Sequence, residues 1–372
     1  MTYSLSSFHR NQFLFVTLLL IGSLTGCQGN LTVPPPQPTP MPPTLTPTTE
    51  STPTRLRTVT TTPSPMTSLG NAPAMITTTA WPPVEDEILR LFDYDPLIPL
   101  DIEVDSEIEL NGYRSHEITY ASPKGGRVPA TLLVPTGASS PFAGIILMHG
   151  LPGNRSNNAL FARRLVATGA VVLMIDAPFA RPDNRSRLSW PLTFSEVDRL
   201  EQIQLMVDLR RAVDLLSARE DVDSERLAYI GYSYGAAMGG LLAGIEPRIK
   251  AFGLMVGDGG LISHFTSADG TPSFELDRLS DEELQTWLDL MQPIEPIRFV
   301  GRAAPSSLFF QNALQDEAVA RDDALAYQAA GSEPKKIEWY ESNHGLPDEA
   351  FQHMADWLST EIGIDASQYT NP

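Results

Sequence analysis

The sequence predicts a doubly wound α/β fold, in which helices cover both faces of a mostly parallel β-sheet. Six short apolar runs divide the C-terminal part of the 372-residue chain. The first four are almost continuous in Val, Ile, Leu, Met and Ala, which is typical of strands buried on both faces of a parallel sheet. The six runs are 143–148, 170–175, 227–232, 251–256, 307–311 and 336–340.

The spacing of these runs supports the same fold class. Their starts lie 27, 57, 24, 56 and 29 residues apart. A spacing near 30 holds one strand, one crossover helix and two loops, so each doubled spacing must contain an additional excursion. Upstream, 116–121 and 128–134 alternate in hydrophobicity and are predicted to form an antiparallel pair at one edge of the sheet.

Three segments, two between the runs and one after the last, are predicted to be helices. The first, 157–168, stops at Gly169, a residue suited to the end of a helix. The second and third, 196–218 and 347–362, each place their apolar side chains on one stripe. Strands that alternate with helices in this way predict the α/β class.

The first 26 residues predict a secretion signal. Their apolar run, 13–24, is too short to span a bilayer as a mature helix. It leads into Leu-Thr-Gly-Cys27, which resembles the bacterial lipobox, whose cysteine receives lipid. Cys27 is the single cysteine of the chain, so a disulfide framework and a Cys-rich zinc site are excluded. The alternative is an ordinary signal peptide with a coincidental cysteine.

Residues 27–80 are predicted to be a lipid-anchored disordered linker, and residues 81–372 fit one large domain. Fourteen of the 32 prolines lie between Pro34 and Pro83, and such a tract has too few apolar side chains to offset the entropy lost on ordering.

The net charge of −19 argues against a nucleic-acid partner, because phosphate contacts need clustered Lys and Arg. We therefore expect an extracytoplasmic protein tethered to a membrane, and the oligomeric state stays open.

The motif with the clearest chemistry is Gly-Tyr-Ser-Tyr-Gly at 231–235. It directly follows an apolar run and precedes a segment of small residues, as expected of a tight turn from a strand into a helix. Such a turn exposes the serine, here Ser233, as a nucleophile and needs glycine on either side because side chains there would clash. A purely structural glycine-rich turn is the alternative.

A second motif, His149-Gly-Leu-Pro-Gly, ends the first buried run. A loop at this place can supply one backbone N–H to an oxyanion hole, and the residue after the nucleophile, Tyr234, supplies the other. Because Pro152 has no N–H, Leu151 is the expected donor. His149 is predicted to be a structural residue of the loop, with substrate contact as the alternative.

The order of elements, the His149-Gly150 pair and the motif at 231–235 resemble the α/β-hydrolase superfamily. The resemblance spans residues 113–362 and is greatest for the branch of dienelactone hydrolases and acetyl esterases, which is also similar to the catalytic domain of prolyl oligopeptidases. It implies a catalytic serine, acid and histidine in that order. No cofactor is expected, and no HExxH motif or clustered carboxylate set in the sequence suggests a metal. Asp316 then takes the acid position and His344 the base position. In this superfamily the acid lies in a Gly-x-x-Asp-x-x-Val loop after a strand. This chain has Ala313 where that loop has its glycine.

Other acidic and histidine side chains are weighed as alternatives. Asp258, at the end of the fourth run, could serve as the acid, and His264 could line the pocket. We expect the remaining candidates to be helical, packing or surface residues: Asp322, Asp323, His116 and His353.

The two excursions leave the edge of the sheet at which open α/β folds bind ligands. The first contains Arg181, Arg185 and Arg187 beside Trp190, which could bind an anionic substrate; the favoured alternative is a solvated loop with local pairs to Asp183 or Glu196. The second, about 259–302, is predicted to form either a small lid through Phe265, Phe274 and Trp287 or a helix packed on the domain through Leu284, Leu288 and Met291.

Taken together, the sequence predicts a serine hydrolase that cleaves a small carboxylic ester through an acyl-enzyme at the outer face of a bacterial membrane. One alternative is a peptidase of the prolyl-oligopeptidase type. The other is a hydrolase-fold lipoprotein that binds ligands without catalysis.

Overall fold

The computed structural model describes residues 83–369, except 138, 188–189 and 267–271, and the side chains of 185 and 186 are likewise not described. The chain divides into two units, Met1–Ala72 and Pro73–Pro372, and the described residues belong to the second. The predicted signal peptide, Cys27 and the linker lie outside the described residues. These assignments, with the domain boundaries after residues 26 and 80, stay predictions.

The described residues form a nine-stranded sheet in the order β1-β2-β3-β5-β4-β6-β7-β8-β9. Strands β4 to β9 are mutually parallel, whereas β1, β2 and β3 join by antiparallel pairing. The six predicted runs correspond to the six parallel strands, which confirms the predicted fold class. The strands are β1 (Glu103–Leu110), β2 (Tyr113–Ala121), β3 (Arg127–Pro135), β4 (Phe142–Met148), β5 (Ala170–Ile175), β6 (Val222–Tyr232), β7 (Ala251–Met255), β8 (Ser307–Ala313) and β9 (Lys335–Tyr340).

Helices fill the gaps between the parallel strands. The predicted helix at 157–168 begins two residues later, because Arg155–Asn158 forms a 3₁₀ turn first. No helix of the described residues is long and apolar enough to cross a membrane. The α-helices are α1 (Asp86–Arg90), α2 (Ala159–Ala167), α3 (Glu196–Ser217), α4 (Tyr234–Ala243), α5 (Leu261–Phe265), α6 (Asp281–Met291), α7 (Arg321–Ala330) and α8 (Asp348–Ile362).

The sheet separates two apolar cores, one on each face. Helices α2 and α8 pack against one face, and α3, α4 and α6 against the other. Strand β4 is buried along its whole length, which explains why its sequence is apolar without alternation. This layering leaves the carboxyl ends of β4, β6, β8 and β9 together at one edge of the sheet, where the functional residues lie.

The antiparallel pair of β2 and β3 is confirmed, but its predicted position at the edge is wrong. Strand β1 pairs outside β2 and forms the edge. Every residue of β1 is exposed, but its four acidic residues alternate with Val104, Ser106, Ile108 and Leu110, so the sequence has the period-2 pattern of a strand, and the sequence analysis missed it.

Candidate active site

Ser233 occupies the sharp turn between β6 and α4. Its φ of 54° and ψ of −118° are unusual for a residue with a side chain. A Cβ at Gly231 would come within 2.1 Å of the Gly235 carbonyl oxygen, and a Cβ at Gly235 within 2.6 Å of the Met148 carbonyl oxygen. The flanking glycines are therefore required by space, and the strained turn presents the Ser233 hydroxyl to a cavity.

Ser233, His344 and Asp316 come together at the carboxyl edge of the sheet, although they lie far apart along the chain. They follow β6, β9 and β8 respectively. Nε2 of His344 lies 3.0 Å from Oγ of Ser233. Nδ1 of His344 lies 2.9 Å from each carboxylate oxygen of Asp316. These distances form one continuous hydrogen-bonded chain from carboxylate to hydroxyl.

The surroundings of Asp316 favour its ionised form. Burial acts to raise the pKa of Asp316, but hydrogen bonds from the His344 ring and from the N–H groups of Val319 and Ala318 outweigh it and lower the pKa below its ordinary value. An ionised carboxylate can only accept, so Nδ1 of His344 carries the proton and donates it to Asp316. In the neutral imidazole, Nε2 is then left as an acceptor facing Ser233.

The loop after β4 lies directly against the nucleophile. A Cβ at Gly150 would be 3.2 Å from the Cβ of Ser233. His149 is fully buried beneath this loop. Its Nε2 accepts the N–H of Ala177 at 3.1 Å, so its Nδ1 is protonated and donates to the Gly150 carbonyl at 2.7 Å. The structural assignment of His149 is confirmed.

Of the two expected oxyanion donors, Tyr234 directly follows Ser233 and Leu151 belongs to the loop after β4 that lies against it. Tyr234 is the first residue of α4, where a backbone N–H has no acceptor within the helix. Leu151 lines the cavity beside Ser233. The N–H of Ser233 itself donates to the Met255 carbonyl at 2.8 Å and is therefore occupied. The role of the Leu151 and Tyr234 N–H groups as oxyanion donors stays a prediction.

Arg155 fixes the far end of the same loop, a role that the sequence analysis missed. Its backbone N–H donates to Asp176 at 2.8 Å, and its guanidinium pairs with the same carboxylate. The guanidinium also donates to Glu117 at 3.0 Å and to Thr131 at 3.2 Å. The loop that carries Leu151 is thus tied to β2, β3 and the end of β5.

A cavity of about 490 Å³ opens in front of Ser233. Its lining combines many apolar side chains with polar side chains from α2 and α8. The residues that line it include Leu147, Met148, Leu151, Phe161, Arg164, Ile230, Tyr232, Met255, Leu346, Asp348, Phe351 and Tyr369.

Asp258 does not replace Asp316 as the partner of the base. Its carboxylate contacts Nδ1 of His264 at 2.8 Å. Neither Asp258 nor His264 is among the cavity-lining residues. Asp258, the alternative acid, and His264, the alternative pocket residue, therefore pair with each other away from the cavity.

The remaining acidic and histidine alternatives are also placed away from Ser233. Asp322 and Asp323 lie on α7, as expected. His116 lies on β2 beside Glu107, and His353 lies on α8 and contacts Glu338 at 2.8 Å. Within the described residues, no group of three or more His, Cys, Asp or Glu side chains is arranged to hold a metal ion.

Two arginines of the first excursion pair with α3 rather than with the expected local acids. Arg181 forms a buried ion pair with Asp208. Arg187 binds both carboxylate oxygens of Glu201. Neither arginine lines the cavity, so both the local pairs to Asp183 or Glu196 and an anion-binding role for these two side chains are wrong. The reason is that α3 passes beside this loop, and its Glu201 and Asp208 lie about one and three turns after the start of the helix.

The second excursion packs on the domain. Trp287 of α6 is fully buried, packs edge-to-face against Phe194 at 5.2 Å, and donates its indole N–H to Asp198 at 3.1 Å. Phe265 is also buried, whereas Phe274 is 73% exposed. No described residue of 259–302 lines the cavity, so the alternative of a helix packed on the domain is the one that the structure adopts.

A buried carboxyl anchors this excursion. Glu295 is fully buried, and its Oε1 accepts the N–H of Ser263 at 3.0 Å. Burial raises the pKa of Glu295 to about 8, against the lowering effect of that hydrogen bond. The side chain is therefore mostly neutral near pH 7, which removes the need for a cationic partner in the apolar surroundings.

The sheet order, the strained serine turn and the hydrogen-bonded Ser233, His344 and Asp316 are together those of the α/β-hydrolase fold. Residues 128–263 match the model of the Dienelactone hydrolase family. The resemblance to the dienelactone-hydrolase-like branch of the α/β hydrolases is thereby confirmed.

Solved structures show the same fold. An acetyl xylan esterase from Paenibacillus sp. R4 is 18% identical with a TM-score of 0.59, over 74% of this chain and 92% of that chain. Acetyl Xylan Esterase 1 from Thermoanaerobacterium sp. JW/SL YS485 is 16% identical with a TM-score of 0.60, over 77% of this chain and 93% of that chain.

A curated relative covers a shorter stretch. The protein named Esterase FrsA of Yersinia pestis (strain Pestoides F) is 28% identical over 141 residues, which are 37% of this chain and 31% of that protein. The chain thus spans less than a third of the length of this relative.

Proposed function

We propose that this protein is a serine hydrolase that cleaves carboxylic esters through an acyl-enzyme. The observation that carries the proposal is the 3.0 Å contact between Oγ of Ser233 and Nε2 of His344, with Nδ1 of that ring held by Asp316. A serine hydroxyl is a weak nucleophile until a neighbouring base removes its proton. The match to the Dienelactone hydrolase family and the name of the curated relative support ester hydrolysis.

Acylation uses each of these side chains in turn. Oγ of Ser233 attacks the ester carbonyl carbon while its proton passes to Nε2 of His344. The carbonyl oxygen gains negative charge and is stabilised by the N–H groups of Leu151 and Tyr234. The bond to the alcohol oxygen then breaks, and the imidazolium of His344 gives its proton to that oxygen. Asp316 stabilises the imidazolium throughout.

Deacylation repeats the same steps with water. Nε2 of His344 takes a proton from a water molecule, whose oxygen attacks the acyl carbon on Ser233. When the bond to Oγ breaks, the proton returns to Ser233 and the carboxylic acid leaves. The cavity of about 490 Å³, whose lining includes the apolar residues Met148, Leu151 and Met255, offers room for the acyl group of a small ester.

The proposal predicts that Ser233 is the only residue that a serine-directed probe modifies. We expect the full-length protein to hydrolyse p-nitrophenyl acetate and to be labelled by a fluorophosphonate, and the Ser233→Ala variant to lose both. Mass spectrometry of the labelled peptide identifies the site. A folded wild-type protein without turnover or label would support a binding protein instead, and turnover of peptide anilides alone would support a peptidase.

We further propose that this site works outside the cytoplasm, on a domain tethered through lipid at Cys27. The lipobox-like tetrapeptide and the Pro/Thr-rich linker support this location. We expect bacteria that express the wild-type chain to incorporate labelled palmitate into it, and the Cys27→Ser variant to incorporate none. Ester turnover per mole of protein should not differ between the two. Equal palmitate label in the variant would contradict the anchor.

A further inference from the structure

We propose that Tyr232 is a positioning residue for the base, because its hydroxyl fixes the backbone of the loop that carries His344. Tyr232 is the residue directly before the nucleophile. The proposal rests on the proposed function, in which His344 removes the proton of Ser233. It assigns a purpose to a side chain that the sequence motif leaves unspecified.

Three contacts join Tyr232 to this loop. Its hydroxyl makes a short hydrogen bond with the carbonyl oxygen of His344. The N–H of Leu346 lies 3.4 Å from the same hydroxyl. The phenol ring also packs edge-to-face against the imidazole of His344, with ring centroids 5.8 Å apart. One side chain therefore holds both ends of the segment 344–346.

The direction of these hydrogen bonds follows from their partners. A carbonyl oxygen only accepts and a backbone N–H only donates, so the hydroxyl of Tyr232 donates to His344 and accepts from Leu346. Burial raises the pKa of Tyr232, against the lowering effect of the Leu346 N–H, which keeps the phenol protonated near neutral pH. The donor that the His344 carbonyl needs is therefore present under working conditions.

The loop needs such an anchor because it has little regular structure of its own. Residues 341–346 belong to neither a helix nor a strand. Among the described residues, further backbone anchors are the bond from Gln315 N–H to the Ser342 carbonyl at 3.0 Å and that from Gly345 N–H to the Asn343 side chain at 3.0 Å. In contrast, Tyr232 lies in β6, paired with β7 within the sheet.

This arrangement ties nucleophile and base to one rigid element. Ser233 is covalently next to Tyr232, and His344 is held by the Tyr232 hydroxyl. The distance between Oγ and Nε2 then depends on the geometry of β6 and not on the loop alone. Misplacing reacting groups by about 1 Å costs on the order of 10²-fold in rate, so a hydroxyl that prevents such a shift has a measurable effect.

The Tyr232→Phe variant tests the proposal, because it keeps the ring and removes only the hydroxyl. With the full-length protein and p-nitrophenyl acetate, we expect kcat to fall by roughly 10- to 100-fold and KM to stay within about twofold of wild type. The second-order rate of fluorophosphonate labelling should fall by the same factor. Because Tyr232 also lines the cavity, a loss confined to KM would instead indicate substrate contact and overturn the proposal.

A double-mutant cycle separates positioning from a general structural effect. If Tyr232 acts only through His344, then adding Tyr232→Phe to His344→Ala costs no further activity. If the hydroxyl merely supports the fold, both changes lower the rate independently and their effects multiply. Multiplying effects would overturn the proposal.

Tyr327→Phe is the matched control. Tyr327 is a buried tyrosine whose hydroxyl shares its one proton between the backbone carbonyls of Ala236 and Ala237 in α4, at 3.0 and 3.2 Å, and has no hydrogen bond to the loop of His344. We expect its kcat to stay near wild type. A Tyr232→Phe enzyme within twofold of wild type would overturn the proposal, while loss of label in Ser233→Ala would still uphold the proposed function.

Discussion

We expect the His344→Ala variant to lose roughly 10⁴-fold or more of its kcat on p-nitrophenyl acetate while keeping the wild-type fold. Without an imidazole at 3.0 Å, the hydroxyl of Ser233 has no side chain positioned to take its proton. The leaving alcohol also loses its proton donor, so both halves of the reaction slow. The N–H groups of Leu151 and Tyr234, the proposed oxyanion donors, stay in place, so we expect a residual rate above that of water.

The measurement compares steady-state kcat of the two proteins, with thermal unfolding as the check on the fold. His344 is partly exposed and ends no strand or helix, so we expect only a small change in melting temperature. The matched control is His353→Ala, which removes a histidine of similar exposure on α8 and should turn over normally. A His344→Ala variant within tenfold of wild type would show that another group is the base.

Combining changes within the site gives a sharper result than either change alone. Residues that act as one unit have non-additive effects, so Ser233→Ala and His344→Ala together should be no slower than the slower single variant. If Ser233 and His344 contributed independently, the losses in kcat of the two single variants would multiply in the double variant. This comparison tests whether the hydrogen-bonded chain from Asp316 to Ser233 works as one unit.

Much of the fold was predictable because its central strands are buried on both faces. Such strands must be apolar without interruption, and β4 and β5 show this pattern directly in the sequence. Strand β1 was missed although its acidic residues alternate with Val104, Ser106, Ile108 and Leu110. What the sequence does not show is that this strand pairs with β2 and takes the edge position, with its apolar side chains exposed.

The residues around the site also divide into those that could be predicted from the sequence and those that could not. Ser233 could be predicted because the turn imposes glycine at fixed distances on either side, whereas Asp316 and His344 were assigned through the resemblance to the α/β hydrolases, which implies an acid and a base in that order. The partners of Arg181 and Arg187 could not be recognised, since many acids lie near them in sequence and only the path of α3 selects Asp208 and Glu201. Side-chain pairing depends on distances in space, which local spacing leaves open.

Tyr232 illustrates the same limit within the motif itself. The middle positions of Gly-x-Ser-x-Gly tolerate many side chains, so the pattern says nothing about a hydroxyl at residue 232. Its partners lie more than 100 residues further along the chain. A role of this kind emerges only when β6 and the loop after β9 are seen together.

The second large effect is expected from Gly231→Ala. A Cβ at this position would lie 2.1 Å from the carbonyl oxygen of Gly235 and 2.6 Å from the backbone nitrogen of Ala236. These atoms belong to the first turn of α4 and cannot rotate away as a side chain would. Gly231 is itself fixed in the sheet, paired with Met148 on one side and Leu254 on the other.

Because both the first turn of α4 and the sheet around Gly231 are held in place, we expect Gly231→Ala to lower the free energy of unfolding by more than about 3 kcal/mol, or to prevent folding altogether. Denaturant unfolding and fluorophosphonate labelling measure the two consequences, because any α4 that shifts to make room also moves Ser233 away from His344. The control is Gly169→Ala, where φ is +84° but no atom lies within 4 Å of the new Cβ. That change should cost only about 1–2 kcal/mol through backbone strain and leave turnover intact, so equal stability losses in the two variants would contradict a steric demand at the nucleophile turn.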